Sequence, residues 1–136
     1  MGVTVLDTSV LIALVDADDP HHAAARTAVR SRREAGDDFV VPVAAYAEFL
    51  VRSYQGDPSM IAFRDGLVDA IPARVEAATR EMGRHAAAIR ARDGQRMKLP
   101  DALIVATAIV LGAERILTAD ARWPVQDVSV TVLEAS

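Results

Sequence analysis

The sequence predicts an α/β protein of three layers, α/β/α, built on a central parallel sheet of four to five strands. Short apolar runs, "VTVL" (3–6), "DFVVP" (38–42), "RILT" (115–118) and "VSVTVL" (128–133), alternate with longer stretches of helical spacing. Glycine, proline and aspartate punctuate most junctions between them. The chain has 136 residues, 51% of them hydrophobic, enough to bury one core in a single domain spanning 1–136. Strands separated by helices pair in parallel through right-handed crossovers, so helices should cover both sheet faces.

Each element has a local reason. "VTVL" leads directly into the apolar helix "SVLIALVD" (9–16). "DADDPHH" then supplies turn and cap residues, with Pro20 near the start of a helix that runs to about Ala35 and stops at Gly36. "DFVVP" precedes the helix "VAAYAEFLVRSYQ" (43–55), ended by Gly56. Asp57-Pro58 starts another, with Met60, Phe63, Leu67 and Ile71 on one face. An extended piece around Ile71 to Val75 leads into a helix from about Ala77 to Arg92. "LPDALIVATAIVL" (99–111) ends at Gly112, and "RILT" and "VSVTVL" close the chain.

Bulk properties narrow the function. Without cysteine there is neither a disulfide framework nor a thiolate metal site. The run from Ala102 to Leu111 is too short to span a bilayer, and "MGVTVLD" lacks the layout of a secretory signal. A cytoplasmic protein with no membrane role is expected. A net charge of −4 argues against general nucleic-acid binding. The distribution says more: 14 of the 15 basic residues are arginine, suited to bidentate phosphate contacts. Arg26, Arg30 and Arg33 share one helical face, while Arg90, Arg92, Arg96 and Lys98 precede Asp101. Each is a candidate phosphate contact or simply part of a solvated helix face.

Four acids deserve separate treatment. In parallel α/β folds ligands sit outside the carboxyl ends of the strands. Asp7 directly follows the first strand, and Asp120 lies two residues past "RILT". Glu48 sits in the early turns of a helix leaving that edge, and Asp101 opens the helix that feeds back into "RILT". All four should converge. Taken singly, Asp7 could cap a helix, Glu48 could pair with Arg52, Asp120 could serve a turn, and Asp101 beside Pro100 suits a helix start. Taken together they are costly, because two carboxylates about 4 Å apart repel by about 4 kcal/mol at an effective dielectric near 20. Such a cluster raises its own pKa values or takes a cation, and oxygen-only ligands suit Mg²⁺ or Mn²⁺.

"VLDTSVLIAL", Glu48 within "AAYAEFL", "LPDALIVATA" and "ILTAD" resemble, in order and spacing, the acidic motifs of PIN-domain ribonucleases, above all the VapC-type toxins of toxin–antitoxin pairs. The resemblance covers nearly the whole chain. It implies a PIN-like fold and an acidic site of Asp7, Glu48, Asp101 and Asp120, with Asp7 and Asp101 the most direct metal ligands. Thr8, Ser9 and Thr118 match hydroxyls that support that site. It further implies RNA cleavage by metal-activated water, leaving 5′-phosphate and 3′-hydroxyl ends, a homodimer, and silencing by a small VapB-like antitoxin. The helices 43–54 and 57–70 would offer apolar faces for those partners. One departure is that Arg122 and Trp123 stand where the family often has a second Asp and a Phe.

Other readings are weaker. An aspartyl-phosphate phosphatase wants an acid two residues after Asp7, where this chain has Ser9. Metal-free cleavage wants two separated histidines, whereas His21 and His22 are adjacent and His85 lies within a helix. His22 reads as a helix-start residue. Trp123 and Tyr46 have faces able to stack on bases, though each reads first as core packing. The non-enzymatic alternative is a catalytically inactive PIN-like RNA-binding or scaffold module.

Overall fold

Five parallel strands form one sheet in the order β3-β2-β1-β4-β5, within a three-layer α/β/α arrangement. The computed structural model describes residues 2–125 and 127–136. The strands are β1 (Val3–Leu6), β2 (Asp38–Pro42), β3 (Ala73–Glu76), β4 (Arg115–Thr118) and β5 (Val130–Val132). The helices are α1 (Thr8–Val15), α2 (His22–Glu34), α3 (Val43–Gln55), α4 (Met60–Ala70), α5 (Arg80–Asp93) and α6 (Leu99–Leu111), with a 3₁₀ turn at Gly94–Arg96. None of the helices among the described residues is long and apolar enough to cross a membrane.

The strand order carries the functional geometry. The chain winds outward from β1 to β2 and β3, then returns to pair β4 on the other side of β1. The order therefore reverses at the β1–β4 crevice, which opens at the carboxyl ends of both strands. Asp7 follows β1 there, and its backbone N–H donates to the Leu117 carbonyl at 3.1 Å.

Sequence chemistry explains the helix that delivers Asp101. α6 is apolar on nearly every side, so it cannot sit on the surface. Ala102 and Ile104 through Ala108 are all buried, and α5 and α3 pack against it. Pro100 occupies its first turn, where a missing N–H costs nothing. Gly112 ends it with φ +63°, the left-handed conformation that glycine adopts without steric penalty.

Two expectations need correction. The stripe Met60, Phe63, Leu67 and Ile71 does not enter the core as a unit, because the side of α4 that meets α3 carries Arg64, which donates to the Phe49 carbonyl at 2.6 Å and lies over its ring. Ile71 and Val68 are buried, but Phe63 is 58% exposed. The helix after β3 starts at Arg80 rather than Ala77, capped by the Thr79 hydroxyl, which accepts from the Met82 N–H at 3.2 Å.

The opposite sheet edge is fastened by a polar clamp. Thr4 on β1 is buried and donates to Asp37 Oδ2 at 2.7 Å, and Arg115 on β4 donates to the same oxygen at 2.6 Å. The Asp37 carboxylate is only 3% exposed. Burial works to raise its pKa, but the Thr4 hydrogen bond and the Arg32 and Arg115 charges prevail and hold it below the usual carboxylate range. A carboxylate with a depressed folded pKa stabilises the fold above its unfolded value, near 3.9, and loses that contribution as pH falls through the folded value. Asp37→Asn should therefore cost about 1.5–3 kcal/mol at neutral pH, the range for a hydrogen bond to a charged group. Urea midpoints should show this gap at about pH 7 and a smaller one near pH 3. An equal gap at both would show that the charge contributes nothing.

Candidate metal centre at the sheet switch point

Asp7 occupies the cap position of α1, yet its side chain makes no cap hydrogen bond to the helix. The carboxylate turns instead into the crevice. Its Oδ2 accepts from Ser9 Oγ at 2.7 Å and from Thr118 Oγ1 at 2.8 Å, and the residue is 5% exposed. Burial raises its pKa against these two hydrogen bonds, which favour the ionised form.

The hydroxyls also tie the two strand ends together. Ser9 Oγ accepts from the Ala119 N–H at 2.9 Å, and Thr118 Oγ1 accepts from the Asp120 N–H at 3.1 Å. A residue on α1 therefore shapes the loop that carries Asp120. On the other side, Thr8 Oγ1 lies 3.3 Å from Glu48 Oε2 and 3.4 Å from the Ala45 carbonyl. Glu48 thus has Thr8 as a partner across the crevice rather than only the solvent around α3.

Asp101 completes the group from the first turn of α6. It is half-buried and its pKa is raised to about 6, first by burial and then by the charges of Asp7, Glu48 and Asp120, with Lys98 opposing. Asp120 is the exception. Arg122 donates to it from Nε at 3.0 Å, from Nη2 at 3.3 Å and from its backbone N–H at 2.9 Å, and these bonds hold its pKa low.

A PIN domain matches residues 4–128 of the sequence. The chain belongs to the PIN-domain family. Its fold is similar to VapBC2 from Rickettsia felis bound to a promoter DNA fragment, with TM-score 0.78 and 12% identity over 97% of this chain and 99% of that one. A toxin–antitoxin complex from Klebsiella pneumoniae has TM-score 0.70 and 20% identity over 95% and 96%. VapC20 of Mycobacterium tuberculosis, a Sarcin–Ricin loop cleaving toxin, has TM-score 0.65 and 19% identity over 83% and 86%. Among curated proteins none matches the sequence.

The donor set of this PIN domain fits a hard divalent cation. It consists of carboxylates and hydroxyls, with neither thiolate nor imidazole among them. Among the described residues, no group of three or more Asp, Glu or His side chains is drawn together closely enough to hold a metal ion. Mg²⁺ keeps several waters and takes one or two carboxylates directly, so Asp7 and Asp101 are the donors to test.

The basic residues divide. Arg96 and Lys98 line a cavity of 360 Å³ with Asp101, Asp120, Arg122, Gln95 and Trp123. Arg92 is instead held by Asp127 at 2.9 and 3.1 Å and by Asp93 at 2.9 and 3.0 Å. Arg90 lies two residues further back on α5, half-buried. Arg26, Arg30 and Arg33 line a different groove with Leu14, Val29, Leu67 and Ile71, in which none of the four acids takes part. Arg33 donates to the Ile71 carbonyl, so the end of α4 uses its guanidinium. The α2 arginines are thus separated from the acids by the course of α2, whose last turn delivers the chain to the other end of β2.

Sequence reasoning missed Gln95 in the site cavity, as well as Asp19 and His21, which line a second cavity beside Ser9, Asp120 and Arg122. The dense "DADDPHH" loop was the available signal. His22 starts α2 as expected, with Nδ1 2.7 Å from the Ala13 carbonyl.

Asp101→Asn should stabilise the metal-free protein at neutral pH, because it removes one of several like charges from a half-buried crevice. After allowance for solvent screening the gain is about 1 kcal/mol, a few degrees in Tm by calorimetry in chelator. A lower Tm would mean that the carboxylates do not repel one another.

Proposed function

We propose that this protein is a Mg²⁺- or Mn²⁺-dependent endoribonuclease, the VapC-type toxin of a toxin–antitoxin pair. The observation that carries the reading is the gathering of Asp7, Glu48, Asp101 and Asp120 at the switch point, with Asp101 raised to about 6 by burial and then by the charges of the other three. A fold with no use for a cation gains nothing from this repulsion. Membership of the PIN-domain family supports the reading, as does the likeness in fold to a toxin described as cleaving the Sarcin–Ricin loop.

Asp7 and Asp101 would hold the ion directly, with Glu48 and Asp120 binding directly or through water. The ion, when bound, supplies charge neutralisation at the phosphoryl oxygens and acidifies water for in-line attack at phosphorus. The chain contributes position. Ser9 and Thr118 fix the rotamer of Asp7, and their hydrogen bonds favour its ionised form, though burial is the larger effect and raises its pKa. Thr8 steadies Glu48 from across the crevice. Arg122 holds Asp120 near the site while screening its charge. Hydrolysis of this kind leaves 5′-phosphate and 3′-hydroxyl ends, without attack by the 2′-hydroxyl.

A VapB-like antitoxin and a second copy of the chain are the partners of this reading, which places the protein in the cytoplasm. The α3–α4 hairpin presents Tyr54 at 69% and Phe63 at 58% exposure, beside Val51 and Met60. Neighbouring apolar side chains left outside a core of this kind suit an interface.

The test is incubation of the purified protein with a mixed small-RNA pool in Mn²⁺, Mg²⁺ or chelator. Cleavage should require metal, yield 5′-phosphate ends, and fall by at least about 100-fold in Asp7→Asn and Asp101→Asn. Folded, antitoxin-free wild type that leaves all RNA intact would favour an RNA-binding or scaffold role.

A further inference from the structure

The cavity beside the acids does not end at Asp101. A second cavity, of 320 Å³, is lined by Arg92, Asp93, Arg96, Trp123, Pro124 and Val125. Arg96 and Trp123 line both, so the two hollows meet at this pair and form one track leading away from the carboxylates. The charges along it are unevenly committed. Arg92 and Arg122 are held by carboxylates, whereas no ion pair among the described residues engages Arg96 or Lys98. Arg96 is exposed, and its charge reaches only as far as lowering the pKa of Asp93.

Trp123 fits the same pattern. It packs partly against the core and lines both hollows. An indole that lines two adjoining cavities, with an unpaired guanidinium beside it, has the chemistry to seat one nucleobase and its adjoining phosphate. Bases in a duplex have their faces covered by stacking, so the occupant must be single-stranded.

We propose that Trp123 is the base-stacking platform of this protein and Arg96 its companion phosphate contact, so that single-stranded RNA runs from the acids along this track. The inference rests on the nuclease reading for the identity of the strand, and it assigns the exit path to the α5–α6 side rather than to the arginine groove on α2. Lys98 contacts the phosphate nearest Asp101. The residue pair at 122–123, which departs from the usual family pattern, thus sets how the strand leaves the site.

Trp123 is the only tryptophan in the sequence, so its fluorescence reports on the platform alone. An unstructured RNA of about ten nucleotides is titrated into Asp101→Asn protein, in Mg²⁺ and in chelator, with affinity read by anisotropy of a dye on the RNA. Binding should quench the tryptophan in parallel with the anisotropy change. In the same background Trp123→Ala should weaken binding by about 5- to 150-fold and Trp123→Phe much less. Arg96→Ala should weaken it and reduce the salt slope by about one, with the fold untouched because Arg96 is exposed. Arg26→Ala should bind normally. Binding without quenching, unchanged affinity in Arg96→Ala, or no binding in either condition would overturn the proposal. Quenching and Arg96 dependence, in a wild type that cuts no RNA with Mn²⁺, would keep the track and remove the nuclease.

Discussion

The burial of the Asp7 carboxylate between the ends of β1 and β4 is the constraint on which the site depends. An ionised group in that position needs hydrogen-bond donors, and the crevice provides two hydroxyls, from Ser9 on α1 and Thr118 on β4. Those hydroxyls are themselves acceptors for the backbone of Ala119 and Asp120. Satisfying one buried charge therefore also sets the course of the loop that brings in another. The sheet order makes this possible, since only where the winding reverses do two adjacent parallel strands leave a crevice open between their crossovers.

Stability and function pull against each other here. The fold pairs its acid firmly at the far edge, where Asp37 meets Thr4 and Arg115 and its pKa falls. At the switch point the balance is opposite: Asp7 and Asp101 are both raised, and only Asp120 has a full ionic partner. Marginally stable proteins concentrate such unfavourable charge where it is used. In the proposed nuclease the acidic net charge and the arginine-rich cavity wall are compatible, because the carboxylates would take the cation and the wall would take phosphate.

Much of this was legible in the sequence, for identifiable reasons. The strands and the buried helix α6 followed from hydrophobic spacing, and Gly112 marked the end of α6 as its left-handed φ requires. Convergence of four acids followed from parallel topology alone, since the ends of strands and the starts of helices share an edge. Local pattern failed where tertiary position decides. Asp7 could have capped α1 with a backbone bond, but its carboxylate takes the side-chain hydroxyls of Ser9 and Thr118 instead. Met60, Phe63, Leu67 and Ile71 share a helical face, but Arg64 takes the side of α4 that meets Phe49, which leaves Phe63 outside. Arg33 looked like a phosphate ligand, but the course of α2 carries it to the carbonyls that end α4. Arg122 and Trp123 could be noticed as unusual, while their meeting with Arg96 and Gln95 depends on a fold of the chain that no short window contains.

In the proposed nuclease the crevice holds a divalent cation. The most direct test is electron paramagnetic resonance of free Mn²⁺ titrated with purified protein. Wild type should deplete the free-ion signal, and the Asp7→Asn, Asp101→Asn double variant, confirmed folded, should not. Depletion that is equal in both, or absent in the wild type, would contradict the account.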